Sequence, residues 1–512
     1  MMPFCPKALM AASESKNITP PPSSQQSWHT YAQVFSSKNM LAMLLLGFAS
    51  GLPLALSTGT LQAWLTVEGI KIQTIGYFAL AGLPYTFKFI WAPLLDRFEP
   101  PFLGRRRGWL VVTQLLLAIV CWVMASFDPK TSIEAVAICA VAVAFISSSQ
   151  DAVFDAYRSD LMLDTERGAG AAVSVLGYRL AMLVSGGLAL IIADQFLGWA
   201  NMYRVMGGLF VLLAFVSMWA PKVAQASTER APVHKELAGF AALLITGGLS
   251  YYALHSLVDG AMPAHIMANK FSKLAIDSAV MLSAFIAAML AARAVGFPSF
   301  DKPWDAFFSR RHAAWLLLFI VLYKLGDAFA GALSTSFLIR GVGFTATEVG
   351  TVNKVLGLIA TLVGALVGGI WLVKQPLYKA LLWFGVAQAI SNLAYWVLAV
   401  SPKSYPLMAV AIGIENICGG MGTAAFVAFL MALTQKEFSA AQYALLSALA
   451  AVGRTYVGPV SGVLVADYGW PTFFIITVFT AIPGLVLLLF LKPTITALST
   501  SSLPQTTDAP QS

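Results

Sequence analysis

Apolar runs of roughly 20 residues or more recur along this chain, each long enough to cross a bilayer as a helix. They lie near residues 40–66, 73–95, 108–127, 132–158, 168–195, 200–220, 237–257, 276–297, 314–340, 346–373, 378–400, 405–434, 438–466 and 471–492. The seventh is the weakest, because Gly247, Gly248, His255 and Asp259 interrupt it. Hydrocarbon leaves unpaired backbone groups without water, so runs of this kind span as helices. Of 512 residues 58% are hydrophobic and 11% charged, against about 25% charged in a soluble chain. The expected class is an all-α polytopic membrane protein with about fourteen transmembrane helices.

The loops set an expected orientation. Arg105–Arg107 follow the second run, Lys222, Arg230 and Lys235 the sixth, and Lys302, Arg310 and Arg311 the eighth. Lys374 and Lys379 follow the tenth, Lys436 the twelfth, and Lys492 ends the last. Every second loop is basic, which predicts that both termini are cytoplasmic. The net charge of +8 is then a topology signal and does not call for nucleic acid. Residues 1–37 and 494–512 read as disordered cytoplasmic tails, the first without the apolar core of a signal peptide. Residues 300–312 read as an amphipathic surface helix.

Two echoes join the ends of the chain. Ala55-Leu56-Ser57-Thr58-Gly59 resembles Ala332-Leu333-Ser334-Thr335-Ser336, and Ser185-Gly186, Ala193-Asp194, Gly198-Trp199 resemble Ser461-Gly462, Ala466-Asp467, Gly469-Trp470. Both occur in the same order, as in a major facilitator fold of two six-helix halves. The halves would be 38–220 and 313–493, with a linker at 221–312 carrying an extra two-helix hairpin at 237–297. Small residues at Ser50-Gly51, Gly186-Gly187, Gly419-Gly420-Met421-Gly422 and Gly458–Gly462 mark expected close helix contacts.

Charges within the apolar runs are costly and point to function. Asp151, Asp155 and Arg158 fall at i, i+4 and i+7, on one helix face. Depth counting at about 1.5 Å per residue puts them and Lys88 toward the cytoplasmic side. There Lys88 either pairs with Asp151 or Asp155 or snorkels to the surface, and Lys88, Asp96 and Arg158 suit a gate. Lys324 and Asp327 lie near mid-membrane, three residues apart, and either form a structural pair or hold a titrating carboxylate. Glu415-Asn416 is a second mid-depth candidate. The proton-coupling candidates are Asp327, Glu415, Asp151 and Asp155. Arg179, Lys354 and Arg454, buried by position, read as charge-fixers or anion binders, since arginine keeps its proton.

Enzymatic signals are missing from the sequence. It has no Gly-rich Lys-Ser/Thr nucleotide loop and no Ser/His/Asp arrangement. Cys5, Cys121, Cys139 and Cys418 form no CxxC pair, and His29, His234, His255, His265 and His312 are scattered. No cofactor and no metal are expected.

Longer motifs resemble the AmpG muropeptide permeases of Gram-negative bacteria. They are Gly47–Leu56 with Gly59–Trp64, Gly104–Trp109, Gln150-Asp151 with Asp155-Ala156, Arg167–Ala172 and Leu176–Arg179. The likeness continues through Leu322–Phe329, Leu338–Phe344, Val352-Asn353-Lys354, Cys418–Thr423, and Gly453-Arg454 with Tyr456–Val460. It covers roughly residues 38–220 and 305–490; the hairpin 237–297 departs from the pattern. The resemblance implies a proton-driven, monomeric importer in the bacterial inner membrane, bringing in anhydromuropeptides for wall recycling. Stem-peptide carboxylates would suit Arg179, Lys324, Lys354 or Arg454. Trp64 and Tyr178 would stack on sugar, with Gln62 and Asn416 as polar contacts. The alternatives are a transporter of another anionic or acyl-linked solute, or a sensor that binds without transport.

Overall fold

A computed structural model describes residues 37–92, 95, 98–162, 167–223, 233–263, 270–296, 307, 312–434 and 439–500. Residues 1–36 and 501–512, Asp96 and most of the expected 300–312 surface helix lie outside the described residues. The start of the expected C-terminal tail is not disordered: Lys492–Thr500 is helical, and Ile495 is buried in the apolar core of the second half. Eleven helices within them are long and apolar enough to cross a membrane, and no strand occurs among them.

The expected spans do not map one to one onto these helices. Spans five and six run together as Gly170–Trp219, and thirteen and fourteen as Leu446–Phe490. In each, one glycine breaks the helical path with left-handed backbone, Gly198 at φ 73° and Gly469 at φ 75°. That conformation crowds a Cβ, so glycine takes it most readily. These are the glycines of the repeated Gly-Trp pairs, so the echo marks a matched bend in both halves. The expected second span is not one helix. It divides into Ile72–Tyr77, a 3-10 stretch Phe78–Gly82, Leu83–Phe87 and a second 3-10 turn Lys88–Ile90. Pro84 has no N–H to donate and sits where the helix restarts.

Backbones touch where the small residues stand. A Cβ built on Gly47 would strike the Ser174 carbonyl, one on Gly51 the Tyr178 carbonyl, and one on Gly177 the Leu44 carbonyl. Later in the chain, Gly364 and Gly420 meet the Ile417 and Thr361 carbonyls in the same way. Between helices in lipid the hydrophobic drive is absent, and close packing of this kind replaces it.

The apolar core has a shape that bears on function. One cluster joins both halves through Leu56, Trp64, Leu190, Leu333, Phe337, Tyr395 and Phe474. Toward the face that carries Arg105–Arg107 it gives way to two separate clusters. One holds Met43, Leu110, Phe154 and Tyr157; the other holds Phe319, Phe384, Phe429 and Leu488. The halves are therefore joined at one face and parted at the other. The extra hairpin, Val233–Ala261 and Lys270–Ala294, leans on this divide. Phe285 packs on Phe87 at 5.1 Å between ring centroids, and Met281 lies 3.6 Å from the Tyr456 hydroxyl.

Gly177→Leu is expected to lower folding stability by about 1–3 kcal/mol or more through overpacking, read as a lower melting temperature in detergent. Gly208→Ala, where nothing lies within 4 Å, is expected to melt with the parent.

Candidate functional site

The Ile133–Leu161 helix presents Asp151, Asp155 and Arg158 on one face, as their spacing predicts. Lys88 resolves in favour of Asp155, with Nζ 3.6 Å from its carboxylate. Arg158 reaches the other oxygen of Asp155 at 3.2 Å and donates to Ser174 at 3.1 Å. Asp151 instead accepts a hydrogen bond from the Ser50 hydroxyl. Arg106 closes on Asp160 at 2.8 Å. These groups lie toward the face where the halves are parted, and the Asp155 side chain is 53% exposed.

A second charge group lies deeper. The Ala313–Gly341 span is broken at Lys324 and again at Leu333, where the backbone leaves helical geometry. Lys324 Nζ sits 3.0 Å from Asp327, the i, i+3 pair expected from sequence, and donates to Thr423 at 3.2 Å. On the Tyr405–Ala432 helix, Asn416 donates to Glu415 at 2.8 Å and to the Ile412 carbonyl at 2.9 Å. Thr361 donates to the Asn416 oxygen at 3.0 Å.

A cavity of about 250 Å³ opens between the halves beside this group. The first half contributes Arg179, and the second contributes Asn353, Lys354, Tyr395, Glu415 and Asn416. Arg179 has no ion-pair partner among the described residues, and its guanidinium lies 4.0 Å from the Met182 sulfur. Lys354 has no ion-pair partner among the described residues. Its side chain crosses Gly186 and Gly187 and brings Nζ to 3.0 Å from where a Cβ on Gly59 would stand. Three glycines of the first half thus leave a groove for a lysine of the second. Two cations and one carboxylate face the same space, which favours an anionic guest.

Several expected site residues are placed elsewhere. Trp64 is only 3% exposed and packs on Tyr203 at 5.2 Å; its ring is core, so stacking on a sugar is excluded. Gln62 donates its amide to the Ala332 carbonyl at 2.8 Å, across the halves. Tyr178 is half-buried against Gly51 and does not line the cavity. Arg454, expected to be buried, is exposed and lies outside the cavity lining. Lys324 is committed to Asp327 and Thr423. The cavity therefore keeps Arg179, Lys354, Glu415 and Asn416 from the expected set.

Sequence reasoning missed Ser50 as the partner of Asp151, and Thr361, Thr423 and Tyr395. A signal for the last was present. Gln388, Ser391, Asn392 and Tyr395 recur at helical spacing in the apolar Leu377–Val400 helix, a polar stripe that must face protein.

Comparison with known proteins follows the same lines. A family model described as "Acetyl-coenzyme A transporter 1" matches residues 39–185. The anhydromuropeptide permease of Escherichia coli (strain K12) is 48% identical over 465 residues, covering 91% of this chain and 82% of that protein. A protein of Rickettsia felis described as "Putative transporter AmpG 4" is 31% identical, covering 90% and 98%. Among solved structures, a POT family transporter in complex with a thioalcohol-conjugated peptide superposes with a TM-score of 0.62 at 15% identity, covering 89% and 96%. At that identity the superposition speaks for the fold alone, and it agrees with the major facilitator fold read from the repeats. The motifs, the fold and the identity agree that this chain is a multi-pass membrane transporter belonging to the AmpG anhydromuropeptide permease family.

Proposed function

We propose that this protein imports anhydromuropeptides, N-acetylglucosaminyl-1,6-anhydro-N-acetylmuramic acid with or without a stem peptide, across the bacterial inner membrane for cell-wall recycling. One observation carries the reading: Arg179 and Lys354 come from opposite halves to one cavity, and neither has an ion-pair partner among the described residues. A cargo carboxylate placed there would satisfy both. It would also tie the halves together, so occupancy would be coupled to their relative position. The cargo class rests on the identity to a relative that bears the permease name.

In this reading a monomer works by alternating access. The halves 38–220 and 313–493 are the bodies that rock, and the proton gradient drives accumulation. With the basic loops read as cytoplasmic, the parted face opens to the cytoplasm, which supports reading the conformation as inward-facing. Asp327, 3.0 Å from Lys324, is the first proton site, where a proton or the cargo competes with the lysine. Glu415, on the cavity wall, is the second proton site. Asp151 and Asp155, with Lys88 and Arg158, guard the cytoplasmic exit and form a last stop for the proton.

A second reading has one observation in its favour. The match to a model described as an acetyl-coenzyme A transporter suits an anionic acyl-linked cargo. That match stays within the first half of the chain, whereas the permease identity covers both.

Vesicles loaded with the protein are expected to accumulate labelled anhydromuropeptide and to lose accumulation when a protonophore is added. Accumulation that a protonophore leaves unchanged contradicts proton coupling, and uptake blocked by an acyl-coenzyme A but not by unlabelled muropeptide supports the second reading. Asp327→Asn and Glu415→Gln are each expected to abolish accumulation against a gradient while leaving downhill exchange. If both variants accumulate like the parent, these proton sites are wrong. Arg179→Gln and Lys354→Gln are each expected to raise KM about 10- to 100-fold, the loss of one charge-assisted bond of roughly 1.5–3 kcal/mol. An unchanged KM in both removes the cavity from the binding site.

A further inference from the structure

We propose that the gate on the face opposite the basic loops is built from two helix-end caps that the halves exchange, Asp194 on one side and Arg340 on the other. The first half ends its opening span at Val67. Gly69, at φ +83°, lets the chain wrap over that end, with Ile70 N bonded to the Leu65 carbonyl and Gly69 N to the Thr66 carbonyl. Carbonyls at a helix C-terminus carry partial negative charge and attract cations. Arg340, from the second half, meets that end. Its Nε and Nη2 donate to the Thr66 carbonyl at 3.1 and 2.7 Å, and Nη1 donates to the Ile70 carbonyl at 2.7 Å.

The reciprocal contact has the opposite sign. The Ala346–Lys374 helix begins with free backbone N–H groups and partial positive charge. Thr345 and Glu348 form a capping box there. Asp194, from the first half, supplies a further acceptor: its Oδ2 takes both the Thr347 N–H at 3.1 Å and the Thr347 hydroxyl at 2.6 Å. So each half lends one charged side chain to the helix end of the other. Between the two caps, Thr66 and Ser336 hydroxyls meet at 2.7 Å across the halves, and Gly187 and Gly350 approach backbone to backbone.

Such caps are suited to opening. Asp194 and Arg340 are both solvent-exposed, so water can replace their partners when the halves part. A buried ion pair would be left without partners by the same motion. Nothing in the function proposed above uses Asp194 or Arg340. The inference rests on the transport cycle but not on its cargo.

Two experiments on the full chain test it. In a cysteine-free background, Thr335→Cys, buried between the halves, is labelled with a membrane-impermeant maleimide from the outer face without cargo. Adding Asp194→Asn and Arg340→Gln together is expected to raise the labelling rate at least fivefold, with unchanged elution on size exclusion. Equal labelling in a folded protein overturns the proposal. Separately, Thr66→Cys with Ser336→Cys is oxidised to cross-link the gate. Uptake is expected to fall below a tenth and to return with reductant. Parent-level uptake with the cross-link complete overturns the proposal. Because labelling is read without cargo, failure of the muropeptide assignment would leave it intact and would show in the uptake assay instead.

Discussion

A charge inside hydrocarbon must find a partner or water, and where these charges find theirs organises the protein. Lys324 finds Asp327 three residues away on its own helix. Lys88 and Arg158 find Asp155 and Ser174 on neighbouring helices of the same half. Arg340 and Asp194 find helix ends of the opposite half. Arg179 and Lys354 are left facing a cavity between the halves. The first two arrangements hold each half together. In the proposed account the third arrangement holds one face shut, and the last offers a place for an anion.

Backbone irregularity makes this arrangement possible. The helical spans carry π-type turns at Val184–Leu188, Ile192–Leu197, Phe337–Gly341 and Gly350–Leu356, all where the halves meet. Wider turns of this kind are frequent at functional sites. Here they bring Gly187 against Gly350 and clear a groove over Gly186 and Gly187 for the Lys354 stem. A Cβ on either glycine would already stand 3.5 Å from the Lys354 stem, so side chains larger than alanine would crowd the path that carries a cation from one half into the other. The span is also broken at Lys324 itself, whose side chain reaches Asp327 on the next turn and Thr423 on another helix.

The class and most of the span positions were legible in the sequence because they depend on local properties, run length and loop charge. The Lys324–Asp327 pair was legible for the same reason, since its spacing alone puts both on one face. Other features depend on partners far away in the chain. Trp64 read as a sugar platform until Tyr203 was seen to cover it, and Gln62 read as a cargo contact until Ala332 was seen to take its amide. The second expected span is broken because Pro84 and the 3-10 turns interrupt hydrogen bonding, which an apolar run conceals. The Gly-Trp echo was visible, but its meaning as a matched bend needed the left-handed φ of Gly198 and Gly469.

The central claim is that Arg179 and Lys354 together recognise cargo carboxylate from opposite halves. It is tested most directly by comparing the affinity of an anhydromuropeptide with that of the same molecule after its carboxylates are amidated. In the parent protein amidation is predicted to weaken binding by at least tenfold, and in the Arg179→Gln/Lys354→Gln double variant the two ligands are predicted to bind alike. If amidation weakens binding as much in the double variant as in the parent, the carboxylates are read elsewhere and the account of the cavity is wrong.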